Sequence, residues 1–284
     1  MSAAVQLLGP AEIRDLADLL DIQPTKKLGQ NFVHDANTVR RIVRAASIEA
    51  GEQVLEVGPG LGSLTLGILE TGAPLTAVEI DKRLAAQLPL TVQQLAPDAD
   101  LTVVTQDALR VTALPADPAR LVANLPYNVS VPVLLHLLEH FPSLRGGLVM
   151  VQSEVGERLA AKPGSKVYGS PSVKAAWYGR WFTAGQVSRQ VFWPVPNVDS
   201  ILVGFEVGAA PGTEEERVRT FALVDAAFGQ RRKMLRQSLS EVLGSSAAAT
   251  AVLEAADVDP TARGEALTVA DFLRVARASA SSDD

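Results

Sequence analysis

Between residues 53 and 151, short apolar runs alternate with helical patterns, and no other feature limits the fold of this chain as strongly. Gln53-Val54-Leu55-Glu56-Val57 ends in Gly58-Pro59-Gly60-Leu61-Gly62. A helical pattern through Leu64, Leu66, Ile68 and Leu69 follows, then a glycine turn and Leu75-Thr76-Ala77-Val78-Glu79. A helix over 82–95, strands at 101–104 and 121–123, a helix near 131–140 and a strand at 148–151 continue the rhythm. Parallel strands need helical crossovers, so this alternation predicts an α/β fold with a mostly parallel sheet. Strand-like segments at 186–192 and 201–207 follow each other without a helix and predict a hairpin, hence an antiparallel edge. Before the first strand, residues 11–20 read as a short helix, and Asp35 can cap another from about Ala36 to Ala46. Gly208–Thr213 has linker composition. Beyond it only helical patterns remain, over 214–228, 232–243, near 249–255 and 269–278. The expected organisation is therefore a sheet-bearing domain over 1–207 and a small all-helical domain over 214–284.

Composition removes several chemistries. The chain has no Cys, which excludes disulfides, thiolate metal sites and a Cys nucleophile. Three histidines (His34, His136, His140) make a poor basis for a metal centre, and no metal is expected. No apolar run approaches the ~18 residues of a membrane span, and the acidic first 25 residues do not read as a signal peptide. A cytoplasmic protein without membrane partners is the expectation. The net charge of −6 argues mildly against a nucleic-acid partner, but it averages over faces and leaves room for local basic patches.

In an open parallel sheet, ligands bind beyond the carboxyl ends of the strands. Those ends here carry the glycine run, Glu79, Gln106-Asp107 and Asn124. Glycines such as Gly58 and Gly60 permit a tight turn and close approach of a ligand to the backbone. Glu79 lies 21 residues after Gly58, a spacing that suits a carboxylate accepting two ribose hydroxyls. A dinucleotide pyrophosphate wants G-x-G-x-x-G, but Ser63 stands where the third glycine would be, and Pro59 removes a backbone N–H. A nucleoside ligand without phosphates, such as S-adenosylmethionine, fits better. Asp107 could accept the exocyclic amine of adenine; its other reading is a helix N-cap.

Asn124-Leu125-Pro126-Tyr127 is the most specific chemical signal. The lone pair of an aromatic amine is delocalised into the ring. Two acceptors, the Asn124 side-chain oxygen and the Leu125 carbonyl, can take both amine hydrogens and turn the lone pair toward a methyl donor. Pro126 stiffens the corner and Tyr127 offers a ring face to an extruded base. Positioning and charge stabilisation, rather than a strong base, would carry the rate. The plain alternative is an Asn-Pro turn with a core Tyr.

The chain resembles the small-subunit ribosomal RNA adenine dimethyltransferases (the KsgA/RsmA type) over nearly its full length. The matching segments are Lys27–Phe32, Leu55–Gly62, Ala77–Asp81, Asn124–Ser130, Phe192–Ser200 and Phe228–Lys233. The resemblance implies a class I methyltransferase, Rossmann-like sheet with a helical C-terminal domain. It also implies S-adenosyl-L-methionine as donor and dimethylation of two adjacent adenosines near the 3′ end of 16S ribosomal RNA, within a pre-30S particle. By motif, Asn31, Val33, Gly58, Gly60, Glu79, Asp107 and Asn124 would hold the donor, with Tyr127 and Phe192 flanking the target base. A monomer is expected.

Basic residues cluster despite the acidic total. Lys26 with Lys27, Arg40 with Arg41 and Arg44, and Arg158 with Lys162 and Lys166 form three groups. Arg231, Arg232, Lys233 and Arg236 form a fourth, and with Lys26 and Lys27 they are the candidates for RNA phosphate contacts. Two other readings stay open: a large-subunit (23S) adenine methyltransferase of the antibiotic-resistance type, and a non-catalytic ribosome assembly factor.

Overall fold

Runs rich in Leu and Val make the strands, and the amphipathic stretches between them make the helices, in a computed structural model that describes residues 4–22 and 31–281. The first elements are α1 (Pro10–Leu19), β1 (Phe32–Val33) and α2 (Ala36–Ala46). Then β2 (Val54–Val57), α3 (Ser63–Leu69), β3 (Leu75–Glu79), α4 (Lys82–Leu95) and β4 (Leu101–Thr105) alternate. They are followed by β5 (Arg120–Asn124), α5 (Ser130–His140), β6 (Gly146–Gln152), α6 (Ser153–Leu159), α7 (Ser170–Tyr178) and β7 (Gly179–Val187). The chain continues through β8 (Phe192–Trp193), β9 (Ser200–Val207), α8 (Glu214–Gly229), α9 (Leu235–Ser238), α10 (Ser246–Ala255) and α11 (Val269–Ala280).

Seven strands form one sheet in the order β4-β3-β2-β5-β6-β9-β7. The pairs from β4 to β6 are parallel, and β9 runs antiparallel to β6, with Met150 opposite Leu202. Chain order reverses between β2 and β5, so the crevice beyond their carboxyl ends lies between the glycine turn and Asn124. Helix α2 starts where Asp35 accepts a hydrogen bond from the Thr38 amide at 2.6 Å. Its buried face, Val39, Ile42 and Val43, meets α3 at Gly67, where any side chain would collide with Val39.

Two expectations about local structure change. Residues 186–192 are not one strand. Strand β7 stops at Val187, Ser188 caps a 3₁₀ turn over Arg189–Val191, and Phe192–Trp193 pair antiparallel with Phe32–Val33. Pro194 and Pro196 cannot donate to a ladder, which keeps this pairing short. The helix over 232–243 shrinks to α9, because the Leu235 and Arg236 amides donate to Ala262 and Pro260 carbonyls instead of an earlier helical turn.

The chain divides into two units. One runs to Gly156 and includes Phe182–Val207; its core holds Ile42, Leu66, Ile68, Leu75, Leu84 and Leu88. The other comprises Glu157–Trp181 and the chain from Gly208, around Leu223, Val224, Leu235, Leu253 and Phe272. No helix among the described residues is long and apolar enough to cross a membrane. No group of three or more potential metal-ligating side chains occurs among them.

Candidate active site

A cavity of about 250 Å³ opens beyond the carboxyl ends of β2, β3, β4 and β5. Gly58, Gly60, Glu79 and Asp107 line it from the strand ends, Asn124 and Pro126 from the β5 corner, and Asn31 and Val33 from β1 and the residue before it. Gly58 (φ +69°) and Gly60 (φ +59°) adopt left-handed conformations that glycine takes without strain. A side chain on Gly58 would lie 3.8 Å from Pro126 Cδ and 3.9 Å from the Asn124 carbonyl, so the turn and the corner meet directly.

Two buried carboxylates set the electrostatics. Glu79 Oε2 accepts from the Gly60 amide at 3.1 Å and Oε1 from the Asp81 amide at 2.9 Å. The Gly60 N–H therefore points at a carboxylate of the protein, and Pro59 has none, so this turn is not arranged to cradle a phosphate. Burial pushes the Glu79 carboxyl up, against the pull of the Asp81 and Gly60 amides. Glu56, 1% exposed, lines the same cavity and accepts from the Thr65 hydroxyl at 2.6 Å. Burial, with the nearby Glu79 charge adding to it, pushes Glu56 up to about 8. The sequence reading missed Glu56 as a site residue. The available signal was an acid inside a wholly buried strand, Val54-Leu55-Glu56-Val57. Such a carboxyl stays protonated in the fold while the unfolded chain ionises near 4.5, so its contribution to stability falls as pH rises from about 5 to about 8. Glu56→Gln is expected to flatten that fall. Melting midpoints across this range check it, and parallel slopes for the two proteins would remove the neutral carboxyl.

Asp107 Oδ1 accepts from the Leu109 amide at 3.0 Å, so it closes a turn while lining the cavity. At the β5 corner, Asn124 Nδ2 donates to the Asn31 carbonyl at 3.0 Å, which orients the amide and directs Oδ1 away from that contact. The Leu125 side chain is buried, and its amide donates to the Met150 carbonyl at 3.1 Å. Tyr127, half-buried, is not on the cavity wall; its hydroxyl and Ser200 Oγ lie 2.7 Å apart, which fixes the ring. Burial pushes its phenol up, the Ser200 bond opposing, so it stays neutral at physiological pH.

Phe192 is placed differently from its expected part beside a base. Its ring is 1% exposed, because β8 pairs with β1 and sets Phe192 opposite Val33. Phe32, stacked on Trp193 at 6.3 Å, is the aromatic from this strand pair that reaches the cavity. Among the basic candidates, Arg232 and Lys233 are exposed and Arg236 is half-buried. Arg231 bonds Glu265 Oε2 at 3.0 Å and the Lys166 carbonyl at 2.8 Å. Lys26 and Lys27 lie outside the described residues.

A sequence profile described as ribosomal RNA adenine dimethylase matches residues 23–280. A protein of Leifsonia xyli named ribosomal RNA small subunit methyltransferase A is 74% identical over 275 residues, 96% of this chain and 98% of that one. A protein of the same name from Thermobifida fusca is 60% identical, with 97% of each chain covered. Among solved structures, a dimethyladenosine transferase from Plasmodium falciparum shares the fold with a TM-score of 0.72 at 23% identity, covering 86% of this chain and 95% of that one. The 23S rRNA methyltransferase ErmE has a TM-score of 0.65 at 26% identity, covering 87% and 99%.

Proposed function

The chain belongs to the ribosomal RNA adenine dimethylase family, and from that membership we propose that it dimethylates N6 of two adjacent adenosines near the 3′ end of small-subunit (16S) ribosomal RNA. The donor in this reading is S-adenosyl-L-methionine, which when bound supplies an electrophilic methyl on a sulfonium. The setting is a pre-30S particle in the cytoplasm, late in small-subunit assembly, with the enzyme acting as a monomer. The observation that carries the reading is Asn124: it lines the cavity that holds Glu79 and Glu56, and its amide is held by the Asn31 carbonyl with the oxygen left to accept.

The donor set fits a cationic nucleoside. The buried Glu79 side chain, held by two backbone amides, disfavours an anionic pyrophosphate and favours a positive ligand, while the protonated Glu56 beside it adds no charge. Glu79, pre-aligned by two backbone amides, would receive the ribose hydroxyls, and Asp107 Oδ2 the exocyclic amine of adenine. Asn31, Val33, Gly58 and Gly60 would close around the remainder. Asn124 Oδ1 and the Leu125 carbonyl accept the two hydrogens of the target amine and turn its lone pair out of conjugation. Pro126 holds the corner stiff, and Tyr127, anchored on Ser200, offers a ring against the extruded base. After transfer the excess proton passes to water, so no strong base is needed. Phe192, buried and paired across β1 and β8 with Val33, anchors the strand that carries Val33 and Phe32.

The test is transfer from methyl-labelled donor to small subunits that lack the modification. The expected product is dimethyladenosine in small-subunit RNA. Label in large-subunit RNA instead would replace this reading with a 23S methyltransferase. Binding without transfer would replace it with an assembly factor.

A further inference from the structure

The face of α5 that begins at the Asn124 corner continues past the cavity. Val129, the N-cap of α5, and Val133 line the cavity, and His136 and His140 fall on the same stripe, at spacings of three and four residues. His136 Nε2 lies 2.9 Å from the Val111 carbonyl, and since a carbonyl only accepts, Nε2 carries the hydrogen. His140 Nδ1 donates to the His136 carbonyl at 2.9 Å, and the two rings lie 4.2 Å apart between centroids, tilted by 34°. One imidazole therefore reaches across to another segment, and the second packs against it and holds it in place.

The segment held in this way carries Asp107. Residues 106–111 form a turn bonded to itself. The Leu109 amide donates to Asp107 Oδ1 at 3.0 Å, the Arg110 amide to the Asp107 carbonyl at 2.8 Å, and Gln106 Nε2 to the Arg110 carbonyl at 3.0 Å. Such a turn moves as one piece, so its position is set at its ends. One end is fixed to β3, where the Gln106 amide donates to the Glu79 carbonyl at 3.1 Å. The other end is fixed by His136. Val111 is fully buried, so water does not reach its carbonyl to replace the imidazole, and loss of that donor leaves a buried acceptor unsatisfied.

We propose that His136 is a positioning residue for donor binding: by holding the Val111 end of this turn it sets where Asp107 meets the base of the bound donor, with His140 as its support. This rests on the donor reading above, in which Asp107 receives the exocyclic amine of adenine. His136 does not itself line the cavity, so its effect falls on recognition of the base and not on the transfer step.

The experiment measures, by calorimetry on the full-length protein, binding of S-adenosyl-L-homocysteine and of its inosine analogue, whose base carries a carbonyl in place of the amine. Wild type is expected to prefer the adenine form by at least about tenfold. His136→Ala should weaken the adenine form about tenfold and leave the inosine form nearly unchanged, so that the preference disappears. His136→Gln, whose side-chain amide can donate to the same carbonyl, should stay within about threefold of wild type. His140→Ala, which removes only the supporting ring, should lose about threefold, again for the adenine form alone. In methyl transfer, the KM for the donor should rise in His136→Ala while kcat at saturating donor holds. Wild-type protein that binds neither ligand would count against the donor reading. Hydrogen exchange of the Arg110 amide, expected to speed up in His136→Ala, decides the positioning role in that case. The assignment is overturned if His136→Ala keeps the preference, if it weakens both ligands equally, if His136→Gln is no better than His136→Ala, or if the Arg110 amide exchanges at the wild-type rate.

Discussion

Asn124→Ala is expected to reduce methyl transfer by roughly 10²–10³-fold, the usual cost of removing one preorganised group from the reacting centre. The fold should survive. Asn124 is half-buried, and its side chain bonds the Asn31 carbonyl, a contact worth about 1 kcal/mol. Neighbouring β5 residues keep their ladder to β6. Only the chemical step loses its acceptor, so single-turnover rate should fall far more than donor or particle affinity. Asn124→Asp separates the two functions of the amide: it keeps acceptors but cannot donate to Asn31. It should lose most of the rate as well if the tether aims the oxygen. Full single-turnover activity in Asn124→Ala would remove this residue from the chemistry.

Gly60→Ala should be the most damaging single methyl at the site. The residue sits at φ +59°, where a side chain costs roughly 1–2 kcal/mol. Its Cβ would stand 2.8 Å from Phe32 Cε1 and 3.0 Å from Cδ1. Phe32 cannot swing aside freely, since it is buried, stacked on Trp193 and paired through β1 to β8. Overpacking of this kind adds about 1–3 kcal/mol. Any shift of the turn also moves the amide that orients Glu79. The expected result is a lower melting midpoint together with donor affinity reduced more than tenfold, read by calorimetry. Gly72→Ala is the comparison. It too has a left-handed φ, of +79°, but nothing lies within 4 Å of its Cβ. It should cost only the backbone strain and leave donor binding unchanged. Equal donor affinity in Gly60→Ala and wild type would dissociate the turn from the site.

Much of the sheet was legible because hydrophobic rhythm reports local structure directly. The strand at 75–79 and the helix at 82–95 have the bounds read from the sequence, and Asp35 caps α2 as its position suggested. The polar ends of those strands were equally visible, since the crevice of a parallel sheet follows from strand order. Segments whose hydrogen bonds go to distant partners were not legible in this way. The 186–192 stretch has strand composition, but β1, more than 150 residues earlier, takes Phe192 and a turn takes three residues. The 232–243 stretch has helical composition, but carbonyls at 260 and 262 claim its amides.

The amino-acid order alone determined the α/β alternation, the glycine turn, and the presence of Glu79, Asp107 and Asn124 at strand ends, because each depends on neighbours a few residues away. Tertiary structure alone decided that Glu56 shares a cavity with Glu79, that Phe32 rather than Phe192 reaches that cavity, and that the exposed Arg231 bonds Glu265 and the Lys166 carbonyl. Burial and pairing between remote segments set a carboxyl's charge and a guanidinium's direction, and neither is encoded in the residue's own surroundings along the chain.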